Sequence, residues 1–150
     1  MELQYRTPFI DSTTQMFSTM VGAPCEVGDQ TDLPQSDTVS GTVAFHGDSS
    51  GQITLTFPLD TARKIVAEML GMDESEMDDD TLKDGVGEMA NIVAGNVKAA
   101  LAATPYRFHL SLPKIELGPA EVPTGVDKNR DRMHSDYGDF YLVYWLALPS

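Results

Sequence analysis

Cysteine occurs once in this chain, as Cys25, and tryptophan once, as Trp145. A single thiol permits no internal disulfide, which excludes cross-linked secreted scaffolds and agrees with a reducing compartment. With no His or basic neighbour in sequence, Cys25 reads as a small buried residue rather than a nucleophile. Positive charge is also scarce: ten Lys and Arg face twenty-three Asp and Glu, a formal net charge of -13. Binding to a phosphate backbone needs a basic footprint, so nucleic acid is excluded as a partner. No apolar run approaches the roughly 18 residues of a membrane span. The opening Met1-Glu2-Leu3-Gln4 has neither the basic nor the apolar region of a signal peptide. Together these absences predict a cytoplasmic protein with no membrane contact. Only His46, His109 and His134 supply imidazole, without HExxH spacing or a close pair, so surface histidines and no metal site are expected, with His134 in a loop.

What is present, 41% hydrophobic residues over 150, suits one domain spanning residues 1–150. Apolar residues Phe9, Met16, Phe17, Met20 and Val21, with Thr7 as N-cap, Pro8 at the first helical position and Gly22 as stop, predict a helix over Pro8 to Val21. Val39, Val43 and Phe45, then Ile53, Leu55 and Phe57, alternate on either side of Gly47-Asp48-Ser49-Ser50-Gly51, a hairpin with one buried face. That turn fits GxSxG, but an esterase elbow joins a strand to a helix, so a turn is the better reading. Ala62, Ile65, Val66, Met69 and Leu70 form the stripe of a second helix closed by Gly71. Six of the eight residues Asp73 to Asp80 are acidic, a solvated loop in which Asp79 or Asp80 caps the next helix. The spacing does not meet the calcium-loop pattern. A third helix runs from Thr81 to Ala103 and stops at Thr104-Pro105. Phe108, Leu110 and Leu112 predict a strand, and Ile115 and Leu117 its continuation. Gly118 to Gly138 reads as a polar connection carrying Lys128, Arg130 and Arg132, and Phe140 to Leu148 as a strand covered on both faces. This order predicts an α+β domain, a mixed, largely antiparallel sheet packed against long helices.

At about 100° per residue, Asp84, Glu88, Asn91, Gly95, Lys98 and Ala102 fall on one side of the third helix. Val86, Met89, Ala90, Val93, Val97, Ala100 and Leu101 fall on the other, with Gly87 at the edge. Exposed helix faces are normally filled with long polar residues, whereas each glycine costs about 1 kcal/mol relative to alanine. Two explanations stand at this point. The glycines let the helix pack tightly on a neighbour with Glu88 and Asn91 merely solvated, or the low relief admits a partner surface with Glu88 and Asn91 as its two tall polar groups. One turn apart, both side chains project to the same place. An ionised Glu accepts only and wants a cation, while an Asn amide can orient a water and face a phosphoryl oxygen. Such a pair needs no covalent nucleophile if the bond is already labile, as in an acyl phosphate, because phosphoryl transfer depends mainly on positioning and charge compensation. A shift of 73 residues also aligns Asp11, Gln15, Met16, Ser18 and Gly22 with Asp84, Glu88, Met89, Asn91 and Gly95, a faint internal echo.

The run from Asp84 to Asn96 resembles the CheC/CheX/FliY family of chemotaxis phosphatases, which act on the aspartyl phosphate of the response regulator CheY. Asp84, Glu88 and Asn91 meet the family pattern, and Pro113 stands one residue before its closing proline. The opening Pro8 to Thr13 resembles the start of CheX proteins, and the likeness extends from Tyr5 to Leu148. One motif helix, with Gln15 and Ser18 where CheC proteins carry a second pair, resembles CheX. The resemblance implies that Glu88 pairs with the regulator's active-site lysine and Asn91 positions the attacking water. Asp84, Gly87, Gly95, Lys98 and Pro113 are implied to contact the partner. It further implies a phosphorylated CheY-like receiver as substrate, Mg2+ carried by that receiver with no cofactor of this chain's own, and a homodimer formed through sheet edges, a role that would suit Phe140 to Leu148. The alternative is a non-catalytic module that docks a phosphorylated receiver, or a flagellar-switch-like scaffold. A metal-dependent phosphohydrolase lacks its His and Asp ligands here.

Overall fold

The computed structural model describes residues 6–30, 37–118 and 128–147. In chain order these form helix α1 (Arg6–Met20), strands β1 (Cys25–Gln30), β2 (Thr38–His46) and β3 (Ser50–Pro58), helices α2 (Leu59–Leu70) and α3 (Asp79–Ala100), and strands β4 (His109–Leu110), β5 (Lys114–Leu117), β6 (Asn129–Ser135) and β7 (Phe140–Ala147). All seven strands join one antiparallel sheet in the order β1-β6-β7-β3-β2-β4, with β5 also pairing along β2. The α+β class expected from the order of elements is therefore the class adopted.

Strand alternation decides which side the helices cover. Val39, Val43 and Phe45 of β2 lie opposite Phe57, Ile53 and Gly51 of β3, and β3 in turn sets Ile53 and Leu55 opposite Tyr144 and Leu142 of β7. These side chains are fully or almost fully buried with Phe9, Met16 and Phe17 of α1 and Ile65 and Val66 of α2. Aromatic rings tie the layers together: Phe9 stacks on Tyr144 with centroids 4.4 Å apart, Phe17 on Phe140 at 5.5 Å, Phe57 on Phe140 at 5.0 Å and Phe45 on Phe108 at 4.5 Å. Such pairs add about 0.5–1.5 kcal/mol each beyond the area they bury.

One carboxylate sits inside this core. Asp131 is completely buried and accepts hydrogen bonds from Arg6 Nη2 at 2.9 Å and from the Tyr144 hydroxyl at 2.7 Å. A buried charge is tolerated only when paired and hydrogen-bonded, and these contacts tie the first turn of α1 to β6 and β7. The Asp131 carboxylate also pushes the Arg6 guanidinium pKa upward through that hydrogen bond.

Several expectations are corrected. Helix α1 already includes Arg6, so Thr7 is inside the helix rather than its cap. Strands β1 and β6 carry little apolar alternation; β6 reads Asn-Arg-Asp-Arg-Met-His-Ser, and its polar side chains concealed a strand within the expected connection. His134 consequently lies on β6, its Nδ1 2.8 Å from Asp139 Oδ1, and not in a loop. Residues 119–127 of that connection, and Leu148, lie outside the described residues. The hairpin buries more than one face, because Ser40 and Thr56 share a hydroxyl hydrogen bond of 2.9 Å and Thr42 and Thr54 one of 2.8 Å, which satisfies their polar groups. Leu70 is 51% and Leu112 is 88% exposed, so neither joins the core stripe proposed for it. On β7 the second face is only partly covered: Val143 is buried but Tyr141 and Trp145 are half-buried. Rings with a polar atom tolerate such partial wetting. Enclosed between β6 and β3, β7 has no free edge, so it cannot serve the edge pairing suggested for a dimer.

Replacing Tyr144 by Phe removes one of the donors to buried Asp131, and should cost about 1–3 kcal/mol of unfolding free energy. Urea unfolding of Tyr144→Phe against the parent chain measures this, and an unchanged midpoint would show that Asp131 does not depend on the hydroxyl.

Candidate functional site

Acidic residues start α3 and short residues let it sit close to its neighbours. The Asp78 side chain accepts a hydrogen bond from the Thr81 amide at 2.7 Å and caps the helix, one residue earlier than expected for Asp79 or Asp80. That bond holds the Asp78 carboxyl below its ordinary pKa. Asp79 and Asp80 instead occupy the first turn, where negative charge opposes the helix dipole favourably. At the far end the helix stops at Ala100, three residues before the expected Ala103, and the Thr104 hydroxyl donates to the Leu101 carbonyl at 2.6 Å.

Between these ends the two sides of α3 differ as the periodicity predicts. Val86, Met89, Ala90, Val93 and Val97 are buried, and so is Leu101 just beyond, whereas Ala100 is exposed and leaves the expected apolar stripe. Asp84, Glu88, Asn91, Gly95, Lys98 and Ala102 are all exposed. The glycines divide into two kinds. A Cβ on Gly85 would lie 2.6 Å from Val66 Cγ1, and one on Gly87 3.1 Å from Ile115 Cδ1 and 3.7 Å from Pro113 Cγ, so both serve close packing inside the molecule. Gly87 is therefore buried and not part of the open face expected for it. A Cβ on Gly95 would meet nothing within 4 Å. Tight packing thus accounts for Gly85 and Gly87, whereas Gly95 leaves the helix surface low and open.

The close approach at Gly87 brings half-buried Pro113 alongside the helix beside Glu88, so Asp84, Glu88, Asn91, Gly95, Lys98 and Pro113 lie around one surface. No hydrogen bond or ion pair engages the side chains of Glu88 or Asn91 among the described residues. Side chains three apart on a helix have Cβ atoms about 5–6 Å from each other. The surface thus offers one acceptor-only carboxylate and one donor-acceptor amide, adjacent, in water and uncommitted. Helix α1 packs against α3 and follows the same pattern, with Asp11, Gln15 and Ser18 exposed and Ser12, Thr13, Met16 and Phe17 buried, which gives the internal echo a structural counterpart.

Other candidate groups are committed elsewhere. Ser49 of the GxSxG turn is buried, and its hydroxyl accepts from the Arg107 amide at 3.0 Å. Cys25 is half-buried rather than fully buried as expected, and that burial still pushes its thiol up to about 12, so it stays protonated near neutral pH. His46 and His109 are exposed cross-strand partners. No group of three or more His, Cys, Asp and Glu among the described residues is arranged to hold a metal ion. Sequence reasoning missed Tyr106 and Arg107 and assigned Phe108 to a strand that in fact starts at His109; all three return beside the end of α3 and line a cleft with Gly95 and Lys98. The Thr104-Pro105 stop is the signal that the chain reverses there.

One antiparallel sheet packed against three helices defines an α+β domain of the kind found in CheX structures. The model for the chemotaxis phosphatase CheX matches residues 39–127, and the chain belongs to that family. Solved structures agree. A chemotaxis protein CheX from Desulfovibrio desulfuricans is 26% identical with a TM-score of 0.81, covering 96% of this chain and 99% of the other. A chemotactic CheC-like protein from Shewanella oneidensis is 25% identical with a TM-score of 0.79, covering 97% and 99%. CheX in a CheX-CheY-BeF3-Mg complex from Borrelia burgdorferi shares the fold at 22% identity and a TM-score of 0.79, covering 99% and 100%. No curated protein matches the chain.

The two kinds of glycine predict opposite stability effects. Gly95→Ala should stabilise the protein by about 0.5–1 kcal/mol, the helix propensity gain in open space. Gly85→Ala should destabilise it by about 1–3 kcal/mol, because Val66 must move. Chemical denaturation of the two variants checks the sign of each.

Proposed function

We propose that this chain is a phosphatase for the aspartyl phosphate of a CheY-like response regulator, and that α3 enters the regulator's active site with Glu88 and Asn91 leading. The observation that carries this reading is the pair itself: two polar side chains, one turn apart, exposed and without partners on an otherwise low face. Glu88 pairs with the regulator's lysine, which fixes the docking position. The Asn91 amide orients a water in line with phosphorus. That water adds to phosphorus as the bond to the aspartyl oxygen breaks, so the carboxylate leaves with the electron pair, inorganic phosphate is released, and the water's protons pass to solvent and phosphate. Mg2+ belongs to the regulator and compensates the phosphoryl charge there. Asp84, Gly95, Lys98 and Pro113 form the surrounding contact, with Gly87 setting the distance between Pro113 and the helix.

Family membership supports the phosphatase class, and the Borrelia CheX captured with CheY, BeF3 and Mg supports the regulator as partner. The same reading carries a homodimer, and on this sheet edge pairing would use β1 or the β4–β5 side of β2, since β7 is enclosed. Sedimentation equilibrium should then give about twice the chain mass of 16.4 kDa. A single-chain mass would remove the dimer from the proposal.

Catalysis and mere docking are separated by the lifetime of the phosphoryl group. Added to a magnesium-loaded, phosphorylated CheY receiver, the protein should accelerate phosphate loss. Asn91→Ala should lose about 100-fold or more in turnover, on the scale of removing one positioned polar group, and Glu88→Ala about tenfold or more. Decay unchanged by the parent chain would leave the docking module as the better description.

A further inference from the structure

Beyond Asn91 the exposed side of α3 runs into a cleft of about 430 Å³ formed where the chain turns back, lined by Gly95, Lys98, Ala102, Tyr106, Arg107 and Phe108. We infer that this cleft is a second docking point for the phosphorylated receiver, and that it takes an apolar side chain of that partner bordered by a carboxylate. The inference rests on the phosphatase reading for the identity of the partner, and names the part of the partner that sets its orientation.

Four features carry it. The cleft continues the Glu88 and Asn91 face, because Gly95 and Lys98 lie on the same exposed side of α3 and Ala102 follows in the turn just beyond its end. Its charge is opposite to that of the chain: Lys98 and Arg107 are its charged lining groups, no carboxylate among the described residues lines it, and the protein as a whole carries -13. Neither cation pairs with a carboxylate among the described residues. Finally, the cleft is held in shape. Phe108 is buried and stacks on Phe45 with centroids 4.5 Å apart. The Arg107 backbone is clamped to Ser49 by hydrogen bonds of 3.0 and 2.8 Å, and its Nη1 donates to the carbonyls of Thr104 and Tyr106. A side chain so fixed loses little rotamer entropy when a carboxylate arrives, which is what makes a charged contact favourable. The volume lies at the low end of the roughly 300–1,000 Å³ of ligand pockets and suits a protruding side chain better than a large cofactor.

Charge is therefore polarised along this surface, with Asp84 and Glu88 on the first half of α3 and Lys98 near its end beside Arg107 of the returning chain. Ten helical residues separate Glu88 from Lys98, about 15 Å along the axis. A receiver that offers its lysine to Glu88 must present acidic and apolar groups about that far away to fill the cleft, and a receiver docked the other way round would meet like charge at both ends.

Binding to a CheY receiver loaded with BeF3 and Mg2+ tests this by calorimetry, with phosphate loss followed separately. The double variant Lys98→Glu, Arg107→Gln and the cleft-filling variant Ala102→Trp should each weaken binding by about tenfold or more, and the double variant should flatten the salt dependence seen with the parent chain. Far-ultraviolet circular dichroism verifies that both fold. If both variants bind within about twofold of the parent while phosphate loss still depends on Asn91, the cleft is not a docking point and the phosphatase reading stands. If the parent chain leaves phosphate loss unchanged but these variants weaken binding, the cleft stands and the catalytic reading fails.

Discussion

Helix α3 lies flat on the sheet because glycine stands where its neighbours come closest. A Cβ on Gly41 of β2 would sit 3.0 Å from Val86 Cγ1 and 3.3 Å from the Ala90 Cβ, and Gly85 is crowded by Val66 of α2 in the same way. Pressed in from β2 and α2, the helix buries Val86, Met89, Val93 and Val97 completely. Its rotation about its own axis is then set, since a turn of one residue would lift these side chains into water at about 1.5–3 kcal/mol apiece. The opposite side chains, Glu88 and Asn91, are thereby left exposed, with no hydrogen bond or ion pair of their own among the described residues. Packing on one face supplies the orientation that the other face requires.

In the proposed function, this division of labour lets an exposed pair be placed accurately. Side chains on a helix are held more accurately than side chains on a loop, and a phosphoryl-transfer step that depends on placing one water needs such accuracy. Uncommitted polar tips are ready to desolvate against a partner without first breaking internal hydrogen bonds. The buried triad of Arg6, Asp131 and Tyr144 has the converse character: every contact is internal, and it anchors α1 so that the aromatic layer beneath the helices closes.

The long-period features were readable from the residues alone. Alternation marked β2 and β3, a nearly unbroken apolar run marked β7, the stripe of Ala62, Ile65 and Val66 marked α2, and the two-sidedness of α3 placed Glu88 and Asn91 on its open face. What escaped notice had a physical reason in each case. Strand β6 buries Asp131 and Asn129 alongside Met133, so its inward face is mostly polar and gives no hydrophobic alternation. The paired hydroxyls of Ser40, Thr42, Thr54 and Thr56 look solvent-facing in sequence because their partners lie on the neighbouring strand. Gly87 and Gly95 are indistinguishable as letters, yet one contacts Ile115 and the other open space. The cleft around Arg107 depends on a clamp to Ser49, 58 residues away in the chain, which no local pattern encodes.

Crystallography of the chain bound to a CheY receiver carrying BeF3 and Mg2+ tests the central claim most directly. The account predicts α3 seated in the receiver's active site, the Glu88 carboxylate on its lysine, and the Asn91 amide within hydrogen-bond reach, about 2.6–3.2 Å, of the beryllofluoride or of a water in line with it. A complex in which the receiver meets the helix-free face of the sheet, with Asn91 left in solvent, would contradict it.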